Sequence, residues 1–147
     1  MKFSVVFFST LLFNLGALAQ PSGYNYGKQV LIQDSEVSGT ADLVNFQMLL
    51  NTIDADLRHV SSGGHVENTN GYDIIFTLDD CNTVLDHQIE KYNPVTGEYI
   101  GWIKIPNLSS SMNTTMHMYY GNNDIFPFFV PKHTEIYFFV LKKMNPK

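Results

Sequence analysis

Polar and apolar residues alternate in short runs along this chain, with the two-residue period of β-strands rather than the longer period of helices. Four such runs follow one another between residues 73 and 121. The first, 73–78 (Asp-Ile-Ile-Phe-Thr-Leu), enters an Asp-Asp-Cys-Asn turn at 79–82. The second, 84–92, ends at a hairpin loop, 93–97 (Asn-Pro-Val-Thr-Gly). The third, 98–105, is stopped by Pro106, whose ring nitrogen has no proton to give a ladder. The fourth, 114–120, follows a Ser-rich link and ends at Gly121. On the second run Leu85, His87, Ile89 and Lys91 share one face, and Val84, Asp86, Gln88, Glu90 and Tyr92 the other. On the third, Tyr99, Gly101, Ile103 and Ile105 oppose Glu98, Ile100, Trp102 and Lys104. Neither run alternates cleanly, which predicts two packed sheets whose second faces are partly covered.

Upstream, 28–33 reads as a strand with Val30 and Ile32 on one face, and 34–42, with its Ser38-Gly39, as a loop. A strand at 46–52 places Phe46, Met48 and Leu50 together. Residues 54–60 predict a single helical turn, with Asp54 and Asp56 at its positive end. Ser-Ser-Gly-Gly at 61–64 ends it, and 65–71 is a polar loop. About six short strands and one short helical turn predict an all-β fold. The expected architecture is an antiparallel, jelly-roll-like β-sandwich, with a partly open β-barrel as runner-up.

Composition narrows the setting. The 147 residues have room for one domain, and 44% hydrophobic with 16% charged residues supports a packed core. A net charge of -5 argues against nucleic acid and against a polybasic membrane patch. Met1-Lys2, an apolar run at 3–15 and Ala17-Leu18-Ala19 have the pattern of a secretory signal peptide over 1–19, cleaved after Ala19. That run is shorter than the roughly 20 residues of a transmembrane span. The expected location is therefore secreted or at the cell surface. Cys81 is the single cysteine, so the chain has no internal disulfide. The C-terminal residues 125–147 carry two dense apolar runs, 125–130 and 136–141. They read as an extra strand or as the mark of a truncated relative.

Lys28-Gln-Val-Leu-Ile32, Val37-Ser-Gly39 and Asn45-Phe46 resemble the opening of the bacterial and archaeal domain of unknown function 2341 family. The likeness continues at Gly71-Tyr-Asp-Ile-Ile-Phe-Thr77, His87-Gln-Ile-Glu-Lys-Tyr92, Thr96-Gly97-Glu98, Gly101-Trp-Ile-Lys-Ile-Pro106 and Tyr119-Tyr-Gly-Asn122, covering roughly residues 24–124. The resemblance implies a module of an exported or surface protein and carries no catalytic residues. The turn after Thr77 departs from the family pattern, with Leu78 and Cys81 where an acidic residue and a glycine are usual. The aromatic lead-in is also thinner, and the Phe-rich tail replaces the family's linker.

Candidate chemistry is sparse. Trp102, the one tryptophan, shares its predicted face with Glu98 and Lys104, and Tyr92 neighbours it across the hairpin. By analogy with carbohydrate-binding modules, Trp102, Tyr92 and Glu90 are the candidate glycan-binding residues. The base rate for large aromatics favours a core tryptophan instead. Glu90, Asp86 and Glu98 are carboxylates of the kind glycosidases pair at about 5–5.5 or 6.5–9.5 Å, but hairpins bring carboxylates together without catalysis. Asp73, Asp79, Asp80 and Asp86 lack calcium-loop spacing, and His59, His65, His87, His117 and His133 lack metal-type spacing. No metal, cofactor or catalytic residue is expected. Asn107-Leu-Ser109 and Asn113-Thr-Thr115 match the glycosylation sequon. The expected function is a non-catalytic extracellular module of an adhesion-type protein that binds glycan or another surface domain. The alternatives are a ligandless spacer or truncated remnant and, behind them, a glycoside hydrolase.

Overall fold

A computed structural model describes residues 20–124. The expected signal peptide and the apolar tail, including the strand expected at 136–141, lie outside the described residues. Six strands form: β1 (Tyr26–Ile32), β2 (Leu43–Ile53), β3 (Ile75–Leu78), β4 (His87–Asn93), β5 (Glu98–Leu108) and β6 (Thr114–Tyr120). They make two three-stranded antiparallel sheets, ordered β1-β6-β3 and β2-β5-β4. The fold is an all-β sandwich, as the alternation predicts, and the described strands do not close into a barrel.

The core lies between the sheets. Val30, Phe76, Met116, Met118 and Tyr120 come from the first, Leu50, Tyr99 and Ile103 from the second, and all are buried. Burying each such side chain is worth about 1.5–3 kcal/mol, so with no disulfide to help, packing holds the two layers together. Tyr99 folds its ring over Gly101, where a Cβ would come within 2.6 Å of the phenolic oxygen. That close approach explains a glycine in the middle of the central strand.

Three local expectations are corrected. The run expected at 84–92 is divided between the sheets. Val84 bridges Thr77, and Leu85 N–H donates to Phe76 C=O at 2.8 Å. The chain then crosses over, and β4 begins at His87. Pro106 does not stop β5, which continues to Leu108. Lys104 N–H donates toward the β4 side, to Asp86 C=O at 2.8 Å. Two residues on, the missing proline N–H faces the same side, where the β4 ladder has already ended at the His87–Ile103 pair. The single helical turn is two 3-10 turns, Ala55–Leu57 and Val60–Ser62, with a third at Asp34–Glu36. The Asp54 carboxylate caps the first of the pair by accepting from Asp56 N–H at 3.0 Å.

Candidate functional site

β5 is the middle strand of its sheet, and its burial alternates without a break from Glu98 to Ile105. Tyr99, Gly101, Ile103 and Ile105 point into the core, while Glu98, Ile100, Trp102 and Lys104 lie half-buried on the outward face. Trp102 is therefore not the core tryptophan that the base rate favours. Its register partners are Leu49 on β2 and Gln88 on β4. One step along the face, Ile100 lies between Asn51 and Lys91, and on the other side Lys104 pairs with Gln47. Leu49 is 39% exposed and Ile53, at the end of the same face, 71%. Lys91 Nζ meets the Glu98 carboxylate at 2.9 Å, and Lys104 Nζ lies 3.8 Å from Asp86.

The structure separates Tyr92 from Trp102. Ladder partners shift by one residue between Ile89 and Lys91, so Glu90 is the extra residue of a β-bulge. His87 and Ile89 face inward opposite Ile103 and Gly101. After the bulge Tyr92 faces inward as well, opposite Tyr99. Its hydroxyl donates to Leu57 C=O at 2.8 Å, and its ring fills the space a Cβ on Gly71 would enter. Burial, aided by the Asp73 charge, pushes the Tyr92 phenol well above its usual range. Tyr92 is a clamp between β4 and the 3-10 turn. Glu90 itself is exposed. Of the carboxylates proposed to pair with it, Glu98 and Asp86 are each held by a lysine.

Several of the remaining acidic and histidine candidates hold backbone or packing in place, and His133 lies outside the described residues. Asp73 is fully buried and accepts from Glu67 N–H at 2.8 Å, Asn68 N–H at 3.0 Å and Gly121 N–H at 3.1 Å. It thereby ties the 67–68 loop to the end of β6, a role that residue type and spacing did not reveal. Asp80 caps its own turn through Asn82 and Thr83 N–H, at 3.0 and 2.8 Å. His59 accepts from Ser61 N–H and caps the Val60–Ser62 turn, and the His87 ring meets Phe76 edge-on. Lys28 bridges Asp54 and Asp56, the latter at 2.8 Å. Hydrogen bonding to Lys28 holds the Asp56 carboxyl below the usual carboxylate range, against partial burial. Of the sequon residues, Asn107 donates to Asp42 at 3.2 Å and Asn113 accepts from Asp34 N–H at 3.0 Å.

A second cluster lies on the outward face of the other sheet. Cys81 has φ +58°, the left-handed conformation that the family's usual glycine adopts without strain. Its Sγ is 3.7 Å from His117 Nδ1 and 3.5 Å from Asp79 C=O, and the residue is 2% exposed. A thiol beside an imidazole is a nucleophile arrangement in principle, but here the sulfur is closed off. No group of three metal-ligating side chains gathers among the described residues.

The two-sheet architecture, with one face open around a lone tryptophan, defines a β-sandwich module. Residues 70–139 match the model of a family described as a domain of unknown function, DUF2341, the family that the sequence resembles. The match starts later than residue 24, although β1 and β2 are paired into the same two sheets. It also runs past Asp124 into the apolar tail. No curated protein and no solved structure matches the chain. No helix among the described residues is long and apolar enough to cross a membrane.

Proposed function

We propose that the chain is a non-catalytic module of an exported surface protein and binds glycan on the outward face of the β2-β5-β4 sheet, with Trp102 as the stacking ring. The observation that carries this reading is the position of Trp102. A large aromatic outside the core cluster stands in the middle of an outward sheet face, between Leu49 and Gln88. An indole ring offers a flat apolar surface with a polar edge, which suits the C–H face of a pyranose beside hydroxyl-binding amides. Export rests on the N-terminal pattern of residues 1–19, and the family resemblance agrees with it.

Because Trp102 is the one tryptophan, its fluorescence reports on this face alone. Titrating the full chain with a panel of soluble oligosaccharides is expected to shift its emission saturably with at least one of them. Trp102→Ala is expected to abolish retention on the matching immobilised glycan while the fold persists. If no glycan moves the emission and none retains the protein, the binding reading fails and the spacer alternative takes its place.

A further inference from the structure

Resting on that reading, we infer that the Trp102 face selects a neutral pyranose chain with equatorial hydroxyls and rejects acidic polysaccharides. Two features of the face lead there.

The first is its charge. Recognition of a uronate or sulfate needs cations free to meet it, because a charge-assisted bond is far stronger than a neutral one. Of the lysines beside Trp102, Lys91 is paired with Glu98 at 2.9 Å, and Lys104 lies 3.8 Å from the exposed Asp86 carboxylate. Glu90 stands exposed on the same edge strand and adds a negative charge. Three carboxylates thus accompany two ammonium groups. An anionic chain arriving here would have to break an ion pair and would still meet net repulsion.

The second is the kind of polar group left over. Gln88 is the direct partner of Trp102, Gln47 the partner of Lys104 and Asn51 the partner of Ile100. Each amide carries an acceptor oxygen and a donor nitrogen side by side. That pairing matches two adjacent hydroxyls of a sugar, one giving and one taking a hydrogen bond. None of these three amides is hydrogen-bonded within the described residues. With Leu49 and Ile100 beside the ring, the face offers an apolar centre edged by neutral amides. A pyranose whose hydroxyls are all equatorial exposes the C–H face that such a centre requires. Trp102 stands in the middle of β5 with register partners on both neighbouring strands, so an extended chain lies across the face rather than ending in it.

The test is a fluorescence titration of the full chain with neutral β-1,4-linked hexamers, two with every hydroxyl equatorial (gluco- and xylo-configured) and one with an axial 2-hydroxyl (manno-configured), and with oligogalacturonate of equal length, at low and high salt. At least one all-equatorial hexamer is expected to bind more tightly than the manno-configured one, with an affinity that salt leaves unchanged, and the galacturonate is expected not to bind. Preference for the manno-configured hexamer overturns the equatorial selection. Gln88→Ala should weaken the neutral ligand about five- to tenfold, the worth of a hydrogen bond lost, with an unaltered melting temperature. Tighter binding of the galacturonate, or an affinity that falls with salt, overturns the neutral class while leaving glycan binding intact. An unaffected Gln88→Ala overturns the amide argument in the same way. Silence toward every glycan removes both this inference and the reading beneath it.

Discussion

On the outward face of β6, Tyr119 is 3% exposed, and on neighbouring β3 Thr77 is 0% exposed. On the outward face of β5, Trp102 and Lys104 are half-buried and Leu49 beside them is 39% exposed. Both sheets have three strands; the first is covered on its outward face at β6 and β3, although Leu31 on β1 of that face is 38% exposed. The 79–82 turn brings Cys81 over the first, and Tyr24 from the lead-in sets its ring 6.5 Å from that of Tyr119. Gly27 makes room there, since a Cβ would fall 2.7 Å from the Tyr119 ring. An aromatic on the covered face is thus part of a second, smaller core. The aromatic on the other face, Trp102, lies outside the core cluster and is only partly buried.

Truncating the two aromatics tests that contrast most directly. Tyr119→Ala is expected to cost about 3 kcal/mol or more, in line with deletion of a buried aromatic. Trp102→Ala should cost about 1 kcal/mol or less, the range for a partly exposed residue. Urea unfolding of both variants, with midpoints compared at equal slope, reads the difference. Equal losses would mean that Trp102 belongs to a core after all.

Much of this contrast is legible in the sequence of β5. The two-residue period alone puts Trp102 with Glu98, Ile100 and Lys104, and the structure keeps them together. What misled was the general habit of tryptophan, which says nothing of this particular strand. β4 is legible only in part. A strict period puts Tyr92 beside Trp102, and the bulge at Glu90 reverses it. A clue was available: two successive charged residues, Glu90 and Lys91, separate the apolar Ile89 and Tyr92, a spacing of three where a regular strand has two. The continuation of β5 through Pro106 was not legible, because it depends on where the neighbouring strand stops. The anchoring role of Asp73 was hidden for a similar reason, since its three donors come from residues 67, 68 and 121.

Where β1 meets the 3-10 turns, a charged network joins the covered sheet to the rest. Asp56, with its carboxyl held low by Lys28, is more acidic in the folded chain than its unfolded value of about 3.9. The stabilisation is complete above that value and is lost as pH falls through the folded one. With the Asp56 side chain 47% exposed, solvent screening limits the contribution to about 1 kcal/mol or less. Melting temperature should therefore fall on acidification below about pH 4. Lys28→Met should melt lower at neutral pH and show a shallower acid decline. An acid limb of unchanged steepness would show that the network does not produce it.

Cys81 tests how tightly the covered face is closed. Relief of a left-handed non-glycine residue is worth about 1 kcal/mol. Removing its buried side chain costs a similar amount and also takes away the contact with His117. Cys81→Gly should therefore lie near the parent in stability, whereas Cys81→Ala keeps the strain and loses the sulfur. The glycine variant is expected to exceed the alanine one by about 1 kcal/mol. Equal melting temperatures would mean that the turn holds no strain.

The smallest expected effect is on the open sheet, at Glu90. Without this residue, Ile89 opposite Gly101 is followed directly by Lys91 opposite Ile100 and Tyr92 opposite Tyr99. Every remaining residue keeps its face, so deletion regularises the ladder instead of inverting it. The Tyr92 clamp on Leu57 is retained, and only the extra twist of the bulge is given up. Deleting Glu90 should thus shift stability by about 0.5 kcal/mol or less, as surface changes do. Deleting Gln88 instead would reverse His87, along with the preceding crossover, relative to Ile89, and should unfold the hairpin. The two single-residue deletions differ only in whether the pleat is preserved. Comparable damage from both would mean that the bulge is required by the sandwich. Tolerance of the Glu90 deletion, with glycan binding retained, would show that the face works through Trp102 and its amides without that carboxylate.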